Sequence, residues 1–172
     1  MAEGEKMETI EELKKSLKEV RPNKWEDIPD IDLYMDQVLM YMQRQHIGLE
    51  SGETLTSAMV NNYIKKGLLP RAKGKRYDRS HVAYLTAICL LKQVLSVDLT
   101  DQLLKNQLEN SGIQEFYGKY CDSVDVAYNE VAEKINDNMS DEEIAALTLQ
   151  LAASSYAQKV ACERLLELRK NK

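Results

Sequence analysis

Between residues 113 and 135 apolar side chains return in steps of three and four without a break: Ile113, Phe116 and Tyr117, Tyr120, Val124, Ala127 and Tyr128, Val131, Ile135. Spacing of that kind, held over about six turns, puts one face against a core only in an α-helix. A chain committed to so long a helix has to bury it against others, and the same step recurs in shorter runs. Met7, Ile10, Leu13, Leu17 and Val20 predict a helix that stops at Pro22, followed by a loop with Trp25 and Ile28 as apolar anchors. Tyr34, Met35, Val38, Tyr41 and Met42 predict a second, capped by Asp30 or Asp32, with Gly48 and Gly52 in the loop after it. Met59, Val60, Tyr63 and Ile64 line the inner side of a helix over 57–66 that Thr54 or Thr56 would cap. Val82, Leu85, Ile88, Leu91 and Leu95 mark a helix opened by Asp78 or Ser80, and Leu103, Leu104 and Leu108 a short one over 100–109. Ser140 and Glu143 form a capping box for a last helix reaching Lys170. Residues 145–153 are apolar nearly all round, which predicts burial on more than one side.

The net charge is −5, yet residues 65–79 hold seven cations (Lys65, Lys66, Arg71, Lys73, Lys75, Arg76, Arg79) against one acid, Asp78. That leaves −11 on the rest of the chain. A basic island on an acidic body suits a protein with one face turned to a polyanion. A solvated loop of Lys and Arg has the same composition, so the flanking pattern must decide. On one side lies the 57–66 helix with Gly67 as a left-handed C-cap, and Leu69-Pro70 forbids its continuation. Residues 69–77 are short and basic with Gly74 near the middle, which predicts a small β-hairpin, and a helix comes next.

Helix, turn, hairpin and helix, with the 30s helix behind, make a winged helix-turn-helix. The expected fold is therefore all-α with one small β-hairpin wing, followed by a C-terminal helical module. Residues 1–24 form an N-terminal helix, 25–97 the winged unit, and 98–172 the helical module for dimerisation or an effector. In such a unit the outward face of the first helix, Ser57, Asn61, Asn62, Lys65 and Lys66 with Thr56 at its cap, would enter a DNA major groove. Asn can bond an adenine edge through two hydrogen bonds, and Lys at the helix end is better placed for phosphate. The wing, Arg71, Lys73, Lys75, Arg76, Tyr77 and Arg79, would track adjacent phosphates.

The stretch Leu55-Thr-Ser-Ala-Met-Val-Asn-Asn-Tyr63-Ile-Lys-Lys-Gly67-Leu-Leu-Pro70 resembles the recognition helix and turn of MerR-type transcriptional regulators, and Lys75-Arg76-Tyr77 onward is similar to their wing-to-helix passage. Taken with residues 25–37, the unit resembles an uncharacterised bacterial family, a domain of unknown function with a MerR-like DNA-binding region. The resemblance covers about residues 25–105 and rests on Thr56, Tyr63, Gly67, Leu68, Leu69, Pro70 and Tyr77. It implies a transcriptional regulator that binds double-stranded DNA as a homodimer through its C-terminal helices. Two recognition-helix arginines of MerR proteins are replaced by Ala58 and Asn61, and a tyrosine pair by Asn62 and Tyr63. Phosphate anchoring then falls to Lys65, Lys66 and the wing. The alternative is a protein-interaction module that keeps the winged fold but has lost DNA.

Other residue types point away from catalysis. There is no Gly-rich phosphate loop and no local Ser/His/Asp or Cys/His arrangement, so no enzyme, catalytic residue, metal or cofactor is expected. Cys89 and Cys162 read as small buried hydrophobes, and three scattered thiols fit a reduced, cytoplasmic setting. His46 and His81 are too far apart for a shared metal, and His81 reads as a capping or surface residue or a phosphate contact. Tyr117, Tyr120, Tyr128 and Tyr156 read as core or interface, with an aromatic effector pocket as the lesser alternative. No apolar run exceeds five residues, whereas a membrane span needs about 20.

Overall fold

The structure is a computed structural model that describes residues 9–45 and 54–170. Met7, His46, Gly48 and Gly52 lie outside the described residues. Among the described residues the chain runs through α1 (Ile10–Glu19), α2 (Met35–Arg44), α3 (Ser57–Lys65), α4 (Arg79–Val94), α5 (Val97–Leu108), α6 (Ile113–Lys134) and α7 (Asp141–Lys170), with a single 3-10 turn at Trp25–Asp27. None of these helices is long and apolar enough to cross a membrane.

Side chains at the N-termini fix where the helices begin. The Thr9 hydroxyl accepts the Glu12 N–H (3.1 Å) while the Glu12 carboxylate accepts the Thr9 N–H (2.9 Å). Ser140 and Glu143 repeat that exchange at α7, as expected. Thr56, not Thr54, caps α3, and Asp78, not Ser80, caps α4. Ser96 starts α5 three residues before the expected position by accepting the Leu99 N–H. At α2 neither Asp30 nor Asp32 caps. Tyr34 holds the N-cap position, its N–H donated to Gln37 Oε1 (2.9 Å), and its ring is half exposed where the periodicity put it inward.

The core forms around α4, whose Val82, Ala83, Leu85, Ala87 and Ile88 have no exposed surface because α2, α5 and α6 pack around it. α1 lies along α6, held at its end by Arg21, which donates to Asp125 and stacks over Tyr128. Tyr117, fully buried, donates its hydroxyl to the Asn23 carbonyl (2.7 Å), and Trp25 packs against its ring at 6.3 Å. The interior is continuous from Ile28 to Val124.

Two expectations about the architecture also fail. The β-hairpin wing does not form, so the fold is all-α among the described residues and is not a winged helix-turn-helix. Residues 73–76 close as one antiparallel bridge, Lys73 with Arg76, around the left-handed pair Gly74 (φ 57°) and Lys75 (φ 64°). The next rung would join residues 71 and 78, but Asp78 already opens α4, with its N–H 3.2 Å from His81 Nδ1. Tyr77 in between turns its backbone to Leu33 instead. With both residues engaged elsewhere the ladder cannot extend. The second failure lies in residues 145–153, expected to be covered on more than one side. Only Leu147 and Leu151 there are partly covered, and Leu149 is 73% exposed. At about 45 Å, α7 outruns the helices available to cover it.

Candidate functional site

α3 ends in a motif that fixes the course of the chain into the basic turn. Gly67, at φ 78°, donates its N–H to the Ile64 carbonyl (3.1 Å), and Leu68 donates to Tyr63 (2.9 Å). This is the Schellman pattern, in which a residue without Cβ takes the left-handed position and an apolar pair closes the end. Here the pair is Tyr63 and Leu68, both buried, and Leu69 is buried behind them. Val60 and Tyr63 therefore anchor α3 from below, and its other face stays in solvent.

That face carries Ser57, Ala58, Asn61, Asn62, Lys65 and Lys66, all exposed. Thr56 is exposed too, its hydroxyl occupied by the Met59 N–H (3.2 Å). Past Pro70 come Arg71, Lys73, Lys75 and Arg76, again all exposed. From Thr54 to Tyr77 there are six cations and no acid, in a chain whose net charge is −5. Arg76 is steadied by Tyr34, donating to its hydroxyl (3.2 Å) with the guanidinium 5.3 Å from the ring centre. Sequence reasoning misses Tyr34 in this role, although an exposed aromatic at a helix N-cap is the signal that could have found it. It misses Lys92 as well. That side chain reaches from α4 to the Tyr63 hydroxyl (2.9 Å), 5.2 Å from the centre of the ring.

The two remaining candidates sit differently. Tyr77 is buried, exchanges backbone hydrogen bonds with Leu33, and meets His81 edge-on at 5.5 Å. Arg79 turns inward, 5.7 Å from the Trp25 ring centre and 3.7 Å from Asp30. Both shape the base of the turn. His81 is a buried capping residue, its Nδ1 2.7 Å from Asp78 Oδ1 and its Nε2 3.4 Å from the Arg71 carbonyl. Burial pushes the Asp78 carboxyl up, but the hydrogen bonds and charge of His81 outweigh it and hold the group below its ordinary value.

The thiols are not activated. Burial pushes both Cys89 and Cys121 up to about 11, and burial raises half-buried Cys162 as well. Such groups stay protonated at neutral pH, and a reactive cysteine needs the opposite shift. Among the described residues no group of three His, Cys, Asp or Glu could hold a metal ion. Of the four tyrosines expected in the core or at an interface, Tyr117 and Tyr120 are core, Tyr128 lies half-buried under Arg21, and Tyr156 is 71% exposed.

No curated protein and no solved structure matches this chain. A family match does exist, running from residue 23 to residue 131, from the loop of Trp25 through α3 and the basic turn nearly to the end of α6. The chain belongs to the family described as Domain of unknown function (DUF1836).

Proposed function

We propose that the chain is a DNA-binding transcriptional regulator in which α3 enters the major groove and the cations of the 71–76 turn hold flanking phosphates. The observation that carries this reading is the acid-free exposed surface over 54–77, with six cations on a molecule otherwise negative. Polyanion binding calls for such a surface, and an acidic remainder limits contact with DNA to that one face. The strained turn adds support. Lys75 keeps a left-handed backbone that glycine would adopt more easily, and strain of this kind is retained where a side chain is needed. The likeness of residues 55–70 to a MerR-type recognition helix points the same way. Asn61 and Asn62 would read base edges, Lys65 and Lys66 would meet phosphate at the helix end, and Tyr77 and Arg79 would position the turn. The three free thiols, Cys89, Cys121 and Cys162, support a reduced, cytoplasmic setting for the chain.

The test is fluorescence anisotropy on labelled duplexes over a range of salt. With three or four phosphates neutralised by each of two copies, log affinity should fall with log salt at a slope of about −5 to −7. A slope near zero overturns the reading. The second reading is docking of an acidic protein on the same cations, favoured by the exposed Ala58 and Asn61 where a MerR-type helix carries arginines. Co-purification of a stoichiometric acidic partner without nucleic acid would establish it.

A further inference from the structure

Ala58, Asn61, Asn62 and Lys65 follow one another on α3 at steps of three, one and three, so they share one side of the helix, and all four are exposed. The carboxamides of Asn61 and Asn62 make no hydrogen bond to any other described residue, whereas the Thr56 hydroxyl is spent on the Met59 N–H. What the face lacks is as informative. α3 contains no Asp, Glu or Arg, and its one ammonium group, that of Lys65, stands in the last turn. The arginines that follow lie elsewhere: Arg71 comes after Pro70, Arg76 rests on Tyr34, and Arg79 turns to Trp25. In a major groove, guanine is read by a guanidinium or ammonium on O6 and N7, and cytosine by a carboxylate on its amino group. The first two turns of α3 offer neither. They offer a methyl group and two carboxamides, which suit the C5-methyl of thymine and the N6/N7 edge of adenine.

We propose that α3 reads a short run of A·T pairs, with Ala58 against a thymine methyl and Asn61 and Asn62 against adenine edges. This deepens the DNA-binding reading and rests on it. The spacing agrees. Residues 58 and 61 stand about 4.5 Å apart along a helix axis, and successive base pairs about 3.4 Å apart. The three side chains therefore reach two or three neighbouring pairs. Lys65, about 10 Å beyond Ala58, falls past them, at the sugar–phosphate backbone. The division also follows the usual docking of a recognition helix, whose N-terminal part is the part that meets base edges. Small side chains at 57 and 58 let that end approach the floor of the groove, where a methyl contact needs close packing.

Base analogues test it. Sites that the full chain selects from random duplexes should share two or three consecutive A·T pairs. In the tightest of them, deoxyuridine in place of thymidine removes only the methyl and should weaken binding about fourfold. Replacing adenine by 7-deazaadenine removes only N7 and should weaken it about tenfold. The uracil penalty should vanish in Ala58→Gly, and the 7-deazaadenine penalty at one adenine each in Asn61→Ala and Asn62→Ala. Ala58→Arg should exchange the preferred thymine for guanine. Selected sites without an A·T core, bound with a normal salt slope, overturn the assignment and leave the DNA reading standing. So does an A·T core indifferent to both analogues, a result that would trace the preference to groove shape. A chain with no salt-dependent affinity for any duplex overturns the DNA reading itself, and this assignment with it.

Discussion

Leu33 and Tyr77 exchange both backbone hydrogen bonds, each 2.8 Å long, across 44 positions of sequence. Through that one bridge the basic turn is fastened to the segment that leads into α2, and the Tyr77 ring closes the space beneath it. Removing the ring should therefore cost stability and removing its hydroxyl should not. Tyr77→Ala is expected to lose about 3 kcal/mol in urea unfolding. Tyr77→Phe should unfold like the parent, and an unchanged affinity for duplex DNA would remove its hydroxyl from the phosphate contacts.

Lys75 separates function from stability more sharply. Its left-handed backbone costs about 1 kcal/mol for a residue with a Cβ, and nothing in its surroundings repays that. Lys75→Gly should be neutral to stabilising, by up to about 1 kcal/mol in thermal unfolding. If Lys75 meets a phosphate, the same change should weaken all duplexes alike and reduce the salt slope by about 1 for each copy. A variant that is more stable and equally tight in binding would remove Lys75 from the interface.

The division of labour between base edges and phosphates can be read by substitution. Asn61, exposed on the solvent face of α3, should carry sequence preference. Asn61→Ala is expected to flatten the ranking of sites selected from random duplexes, with a loss of about 1–3 kcal/mol at the best site. Arg76→Ala should lower every affinity by a similar factor, since its guanidinium is parked against Tyr34 at the edge of the turn. An Arg76→Ala variant that merely changes the preferred sequence would reverse these roles.

Local chemistry explains which features were legible in the sequence. The stripe from Ile113 to Ile135, the Ser140/Glu143 box and the Gly67 stop each depend on residues within a few positions of one another, and each appears as expected apart from Ala127, which is exposed. The features that failed depend on distant partners. Whether residues 73–76 could grow into a hairpin was decided by Leu33 taking the backbone of Tyr77, and Arg79 turns away from the other cations of the basic turn toward the ring of Trp25, 54 positions upstream. Burial of residues 145–153 was misjudged for a related reason. An apolar circumference states a demand for cover, and only the rest of the fold decides how much cover exists. α1 and α5 reach one side of α7 and leave Leu149 and Tyr156 in solvent.

The start of α4 gives a pH dependence whose sign is set by Asp78. Its carboxyl is held below the ordinary value in the folded chain, so its contribution is complete above the unfolded value of about 3.9 and disappears as pH falls through the folded one. Asp78→Ala should cost about 1 kcal/mol at neutral pH as a lost cap. Urea melts of the two proteins should converge as pH falls below about 4 and Asp78 takes up its proton. A gap that persists undiminished at the lowest pH where both still fold would mean that the charge of Asp78 contributes nothing, and that the cap acts through hydrogen-bond geometry alone.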